Sequence, residues 1–256
     1  MLALNPASPH QWWKQVRAIE RQRASRDAPV DFLGCHTLGE RDDGEVNFRF
    51  QTLLALVLSP RTTDERVAHA MQRLRLLTSC YEPDKDDCEI LEKPGNYLSA
   101  ATVASLDAET LQVAISGVTF AKSKAPRVTQ LARTLHDDYG GDVPRTLAEL
   151  MALPGVGPKV AHLALQIAWC ETQGISVDTH VHRIAGRLGW TRGARDAEAT
   201  RKQLESWLPR EHWQGLNPLL VGFGQQVCAE RPNCRGCLLS AERLCPQVGL
   251  EREYQR

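Results

Sequence analysis

The sequence predicts an almost all-α protein. Apolar residues recur at helical spacing over 50–76, 123–139, 146–153, 158–170, 181–188 and 198–208. Alternating β-branched runs that would mark strands are nearly absent, and so are internal repeats and low-complexity tracts.

The elements follow in chain order. Near the start, Trp12, Trp13, Val16 and Ile19 fall on one helical face and are expected to point inward. The first 26 residues carry Lys14, Arg17, Arg21, Arg23 and Arg26 against the single acid Glu20. An organellar address would look like this, but two adjacent tryptophans favour an ordinary amphipathic helix. Residues 34–46 form a polar connector into the apolar helix that begins near Phe50. Residues 79–98 are acidic, hold two prolines and read as a surface insertion between helices.

Composition bounds the function. With 256 residues there is ample material for a core, and 42% apolar with 24% charged residues fits a globular protein. Lys plus Arg (31) balance Asp plus Glu (31), so any DNA contact must come from a local basic patch rather than a global field. No apolar run approaches a membrane span and no signal-peptide core is present, so an intracellular setting without a membrane partner is expected. Cys35, Cys80, Cys88 and Cys170 then read as free thiols.

Chemistry concentrates between Leu153 and His180. The run LPGVGPK lies between two helical stretches. Gly155 and Gly157 flank Val156, permit positive φ and leave backbone N–H groups open, while Pro158 suits the first turn of a helix. Such a hairpin presents amides and a helix N-terminus to a phosphate, a contact blind to base sequence. Lys159 follows the turn. It is either a solvated helix lysine or an amine nucleophile, which must be neutral to attack. Asp178, in VDTH, sits where a helix N-cap would, and its carboxylate is equally suited to stabilising an oxocarbenium-like charge. His180 and His182, two apart on a helix, diverge; packing or a DNA-facing role suits them better than a metal.

Cys228, Cys234, Cys237 and Cys245 have the spacing C-x5-C-x2-C-x7-C. Four thiolates so close suit tetrahedral zinc or a [4Fe–4S] cubane, and one CxxC between two lone cysteines fits the cubane better. Arg231, Arg235 and Arg243 in the same segment give a basic patch, or else are ordinary solvated arginines.

Taken together, LPGVGPK, VDTH and the four-cysteine segment resemble endonuclease III, of the helix-hairpin-helix DNA glycosylases. PHQWW, DAPVDFLG, LLALVLSPRTTDERV, MQRLR, GGDVP, WLPREHW and LLVGFGQQVC extend the likeness toward the eukaryotic branch over most of the chain. The resemblance implies a six-helix barrel domain at 48–172 carrying the hairpin at about 146–170. It implies a second domain, 1–47 plus 173–256, holding a [4Fe–4S] cluster on the four cysteines, with the active site in the cleft between. It implies a monomeric, bifunctional glycosylase and abasic-site lyase. Its partner would be double-stranded DNA with damaged pyrimidines or abasic sites, in the nucleus or mitochondrion. Lys159 and Asp178 take the catalytic positions. Phe120, in GVTFAKSK, takes a wedge position, with a buried core aromatic as the competing reading. Arg61, in SPRTTD, stands where the family usually has a glutamine that plugs the stack; Ser59 and Asp64 read as caps of the next helix. The cysteine spacing departs from the family's usual one. A reading from another class is a non-catalytic helix-hairpin-helix DNA-binding module with a structural zinc.

Overall fold

The computed structural model describes residues 9–79 and 98–246. The acidic segment, apart from its two end residues, and with it Cys80 and Cys88, lies outside the described residues. Among the described residues there is no strand. The helices are α1 (Trp12–Gln22), α2 (Pro29–Leu33), α3 (Glu45–Leu58), α4 (Asp64–Ser79), α5 (Ala100–Ser105), α6 (Ala108–Ala114) and α7 (Ala121–Tyr139). They continue with α8 (Leu147–Ala152), α9 (Pro158–Ala168), α10 (Thr179–Arg187), α11 (Ala197–Trp207), α12 (Trp213–Gln226) and α13 (Leu238–Ala241).

Local signals set most boundaries. Side chains of Asp107, Thr146 and Asp196 accept backbone N–H groups at the starts of α6, α8 and α11, and Ser99 and Thr102 form a reciprocal capping box on α5. Gly140, at φ 60, closes α7, and the Gly141 N–H returns to Leu135 O at 2.8 Å. The stretch 50–76, read as one apolar period, is two helices. Pro60 cannot continue α3, and Arg61 takes φ 58, so the chain turns before Asp64 opens α4.

The chain divides into two compact units, Leu33–Glu171 and Met1–Phe32 with Thr172–Arg256. Between these units the chain passes at Phe32 and Leu33. The physical reason is burial: Leu38 joins the core of the larger unit, Gly39 abuts Phe48, and Gln51 accepts the Glu40 N–H at 2.8 Å. In that unit α3 is buried almost all round, and α9 packs along it.

The smaller unit is centred on tryptophans. Trp12 and Trp190 flank Trp207 with ring centroids 5.7 and 6.0 Å away, and Trp190 Nε1 donates to the buried Gln15 at 2.5 Å. Trp13, expected inward, is 38% exposed and lies beside the cations of Lys14 and Arg17. One helical stripe cannot take two adjacent residues, so Trp12 fills the core and Trp13 faces out. Arg23 is fully buried, paired with Asp31 at 2.5 Å and with Gln226 Oε1 at 2.7 Å. A Cβ at Gly222 would fall 2.2 Å from its guanidinium, so only glycine lets α12 pass.

Candidate active site and DNA-binding residues

The hairpin forms as its sequence dictates. Thr146 caps α8, Leu153 ends it, and α9 starts at Pro158 with Gly157 as N-cap. Gly155 has φ 79, and a Cβ there would lie 3.4 Å from Val57 Cγ1. Val156 is not an open donor: its side chain is buried and its N–H donates to Leu153 O at 3.2 Å. Gly155 and Gly157 enter no backbone hydrogen bond as donors among the described residues.

Lys159 is the second residue of α9 and half-buried. Its neighbourhood in the larger unit includes Cys35, whose thiol is pushed up to about 11 by burial, drawn down by the Lys159 charge and raised again by Asp64. The nearby Ser59 side chain also draws that thiol down. Ser59 closes α3, its Oγ donating to Leu56 O at 2.9 Å, rather than opening α4; Asp64 is the first residue of α4. Lys159, Ser59 and Asp64 thus lie about Cys35. No local periodicity signals this grouping, since separate segments contribute to it.

Asp178 belongs to the smaller unit and is the N-cap of α10: its Oδ1 accepts the Val181 N–H at 2.8 Å. His180 is half-buried against α12, where a Cβ at Gly224 would lie 2.4 Å from its Nδ1, and Nδ1 is 3.1 Å from Arg183 Nη2. That edge of the ring is held within the unit. His182 Nδ1 pairs with Thr200 Oγ1 at 2.6 Å, so the two rings diverge.

Cys228, Cys234, Cys237 and Cys245 line one cavity with Phe223 and Leu239. Among the described residues no three His, Cys, Asp or Glu side chains close on a single-ion position. Four thiols spread round an apolar cavity fit a polynuclear cluster, which offers one metal to each thiolate. Two arginines of α10, which sequence reasoning passed over, hold the segment. Arg183 Nη2 donates to Cys228 O at 3.0 Å. Arg187 donates to Ala229 O at 2.5 Å, Glu230 O at 2.8 Å and Cys228 Sγ at 3.4 Å. Arg231, Arg235 and Arg243 are exposed.

Phe120 is 57% exposed and is no core aromatic. It takes φ 62 at the N-cap of α7, and Arg61 takes φ 58 in the turn after α3. Both lie in the left-handed region that few non-glycine residues adopt. The Arg61 guanidinium lies 6.0 Å from the Phe120 ring centroid.

An all-helical chain with a glycine hairpin that opens a helix at a lysine is a helix-hairpin-helix protein. Residues 54–210 match the family model described as HhH-GPD superfamily base excision DNA repair protein. The chain is 44% identical over 240 residues to Endonuclease III-like protein 1 of Bos taurus, covering 93% of this chain and 72% of that protein. It is 41% identical over 245 residues to the Endonuclease III homolog of Schizosaccharomyces pombe, covering 95% and 64%. A solved non-covalent endonuclease III–DNA complex superposes with TM-score 0.72 at 29% identity, over 95% of this chain and 97% of that one. A trapped covalent endonuclease III–DNA intermediate gives 0.69 at 28% identity, over 95% and 98%. The chain belongs to the HhH-GPD superfamily and, within it, to the endonuclease III family of base excision repair DNA glycosylases with abasic-site lyase activity.

Proposed function

We propose that Lys159 is the nucleophile of a glycosylase and lyase acting on oxidised or ring-damaged pyrimidines in duplex DNA. The observation that carries this is its place: second residue of α9, directly after a turn whose glycine amides are open to a phosphate. A strand anchored there presents its sugars to the amine.

The neutral amine attacks C1′ of the damaged nucleotide, and the base leaves with the electron pair of the glycosidic bond and gains a proton. The attached amine sheds a proton and its lone pair opens the C1′–O4′ bond, the ring oxygen leaving with that electron pair and taking up a proton. The imine so formed acidifies the C2′ hydrogen, whose removal and loss of the 3′ phosphate by β-elimination nick the strand. Asp178 faces the charge that builds on the sugar as the base departs and relays the amine proton. The trapped covalent intermediate of the structural relative supports the same chemistry here.

Arg61 and Phe120 fill the stack once the damaged base leaves it. Arg61, long and rich in donors, addresses the orphaned base on the other strand. Gly155 and Gly157 anchor the backbone through their amides, with Val156 buried between them to hold the turn, and Arg231 and Arg235 add phosphate contacts from the cysteine segment. The unit Leu33–Glu171 is the barrel domain, and the unit of the two chain ends the cluster domain. When bound, a [4Fe–4S] cluster on Cys228, Cys234, Cys237 and Cys245 supplies structural order. The protein acts as a monomer, in the nucleus or mitochondrion of a eukaryotic cell; what supports this is that relatives at 41–44% identity are eukaryotic. No helix among the described residues is long and apolar enough to cross a membrane.

Borohydride trapping on a duplex with one oxidised pyrimidine tests the nucleophile. A covalent adduct is expected with the wild type and none with Lys159→Ala. Base release by both proteins, with no adduct from either, would overturn the assignment.

A further inference from the structure

A lysine that the chemistry does not use lies under the wedge. Lys124, in the first turns of α7, is only 9% exposed. Its Nζ donates to Leu58 O at 2.6 Å, Pro60 O at 2.9 Å and Thr62 Oγ1 at 3.3 Å. An ammonium has three protons to give, and all three acceptors belong to the turn that carries Arg61. Leu58 is the last residue of α3, where outward carbonyls carry the negative end of the helix dipole and favour a cation.

A second tie runs beside the first. Thr62 Oγ1 also accepts the Thr119 N–H at 3.2 Å, one residue before Phe120, and donates to Pro60 O at 3.4 Å. One hydroxyl therefore joins the turn at 59–63 to the approach to α7, and the ammonium at its side closes the link. Burial pulls the Lys124 amine down to about 8 with no carboxylate contributing. A buried amine so placed is tolerated because each proton meets an oxygen.

We propose that Lys124 is a positioning residue for base displacement: through Thr62 and the carbonyls of Leu58 and Pro60 it locks the turn of Arg61 to the helix start of Phe120. The two residues then enter the stack as one preset unit. Without the lock, each left-handed residue relaxes independently, and part of the binding energy goes to reordering them at the DNA. This inference rests on the wedge roles proposed above for Arg61 and Phe120.

The test uses Lys124→Met, which keeps the apolar stem and removes the donors, in the full chain. Single-turnover excision from a lesion-bearing duplex is expected to fall on the order of 10- to 100-fold. Cleavage of an abasic site in single-stranded DNA, where no base is displaced, is expected to stay at the wild-type rate. With 2-aminopurine opposite an abasic-site analogue, binding of the wild type raises fluorescence, and binding of the variant is expected to raise it less. Thr62→Val should reproduce the selective loss, and the double substitution should be no worse than either single one. Equal losses on both substrates, additive losses in the double variant, or no loss on the duplex would overturn the proposal. The fluorescence needs no chemistry. A wild type inactive on every substrate would sink the glycosylase reading and still leave the Lys124 test readable.

Discussion

Asp178 Oδ1 accepts the Val181 N–H at 2.8 Å, so the carboxylate assigned to the sugar also holds the first turn of α10. The two tasks separate under substitution, because asparagine caps as well as aspartate but carries no charge.

Asp178→Asn is therefore expected to melt with the wild type and to bind DNA, while base excision falls by roughly 10²- to 10⁴-fold. Asp178→Ala should lose the same activity and, in addition, about 1 kcal/mol of stability with the cap. Thermal melting and single-turnover excision on one lesion duplex check both. Near-normal excision by the asparagine variant would leave Asp178 as a cap alone.

Gly155 has φ 79 and lies 3.4 Å, at its would-be Cβ, from Val57. Gly155→Ala strains the turn by about 1 kcal/mol or more and tilts the amides proposed to hold the phosphate. Because a backbone contact carries no sequence information, affinity should fall equally for damaged and undamaged duplexes. Titrations of both at one salt concentration measure this. A loss confined to the damaged duplex would show that the hairpin reads the lesion instead.

How much of this was legible depended on how local each signal is. Pro158, Thr146 and Asp178 announce helix starts through their own backbone chemistry, and α8, α9 and α10 follow. Helix α12 hid because Pro218, Gly222 and Gly224 depress its propensity. It persists because those glycines admit Arg23 and His180 from α1 and α10, a reason that lies in other segments. Lys159 could be singled out by its motif, but its place near Cys35, on which Ser59 and Asp64 also act, comes only from the fold. Lys124 did leave a trace, since it shares a helical face with the buried Val128, Leu131 and Leu135.

Arg187 donates to Cys228 Sγ at 3.4 Å and to the carbonyls of Ala229 and Glu230. Hydrogen bonds from a charged donor are worth about 1.5–3 kcal/mol each. Arg187→Gln should therefore loosen the cysteine segment. Protein isolated without air is expected to hold iron and acid-labile sulfide in equal amounts, and to lose them faster when Arg187 is replaced. Iron analysis with a time course of visible absorbance decides it; stoichiometric zinc in place of iron would refute the cluster.

Cys35 and Cys170 offer an internal comparison of thiol chemistry. Burial raises the Cys35 thiol from 9.0 to about 11, whereas Cys170 is exposed. Thiolate is the reactive form, so iodoacetamide at pH 8 should modify Cys170 well before Cys35. The Lys159 charge favours the Cys35 thiolate, so Lys159→Ala removes that help and should slow Cys35 further while leaving Cys170 unchanged. A thiol whose folded value lies above its unfolded one favours the fold at lower pH, and this contribution is lost as pH rises from 9.0 towards about 11. Site-resolved mass spectrometry of timed alkylation reads both rates. Equal slowing at the two cysteines, or none at Cys35, would refute the electrostatic link between Cys35 and the lysine assigned to attack the sugar.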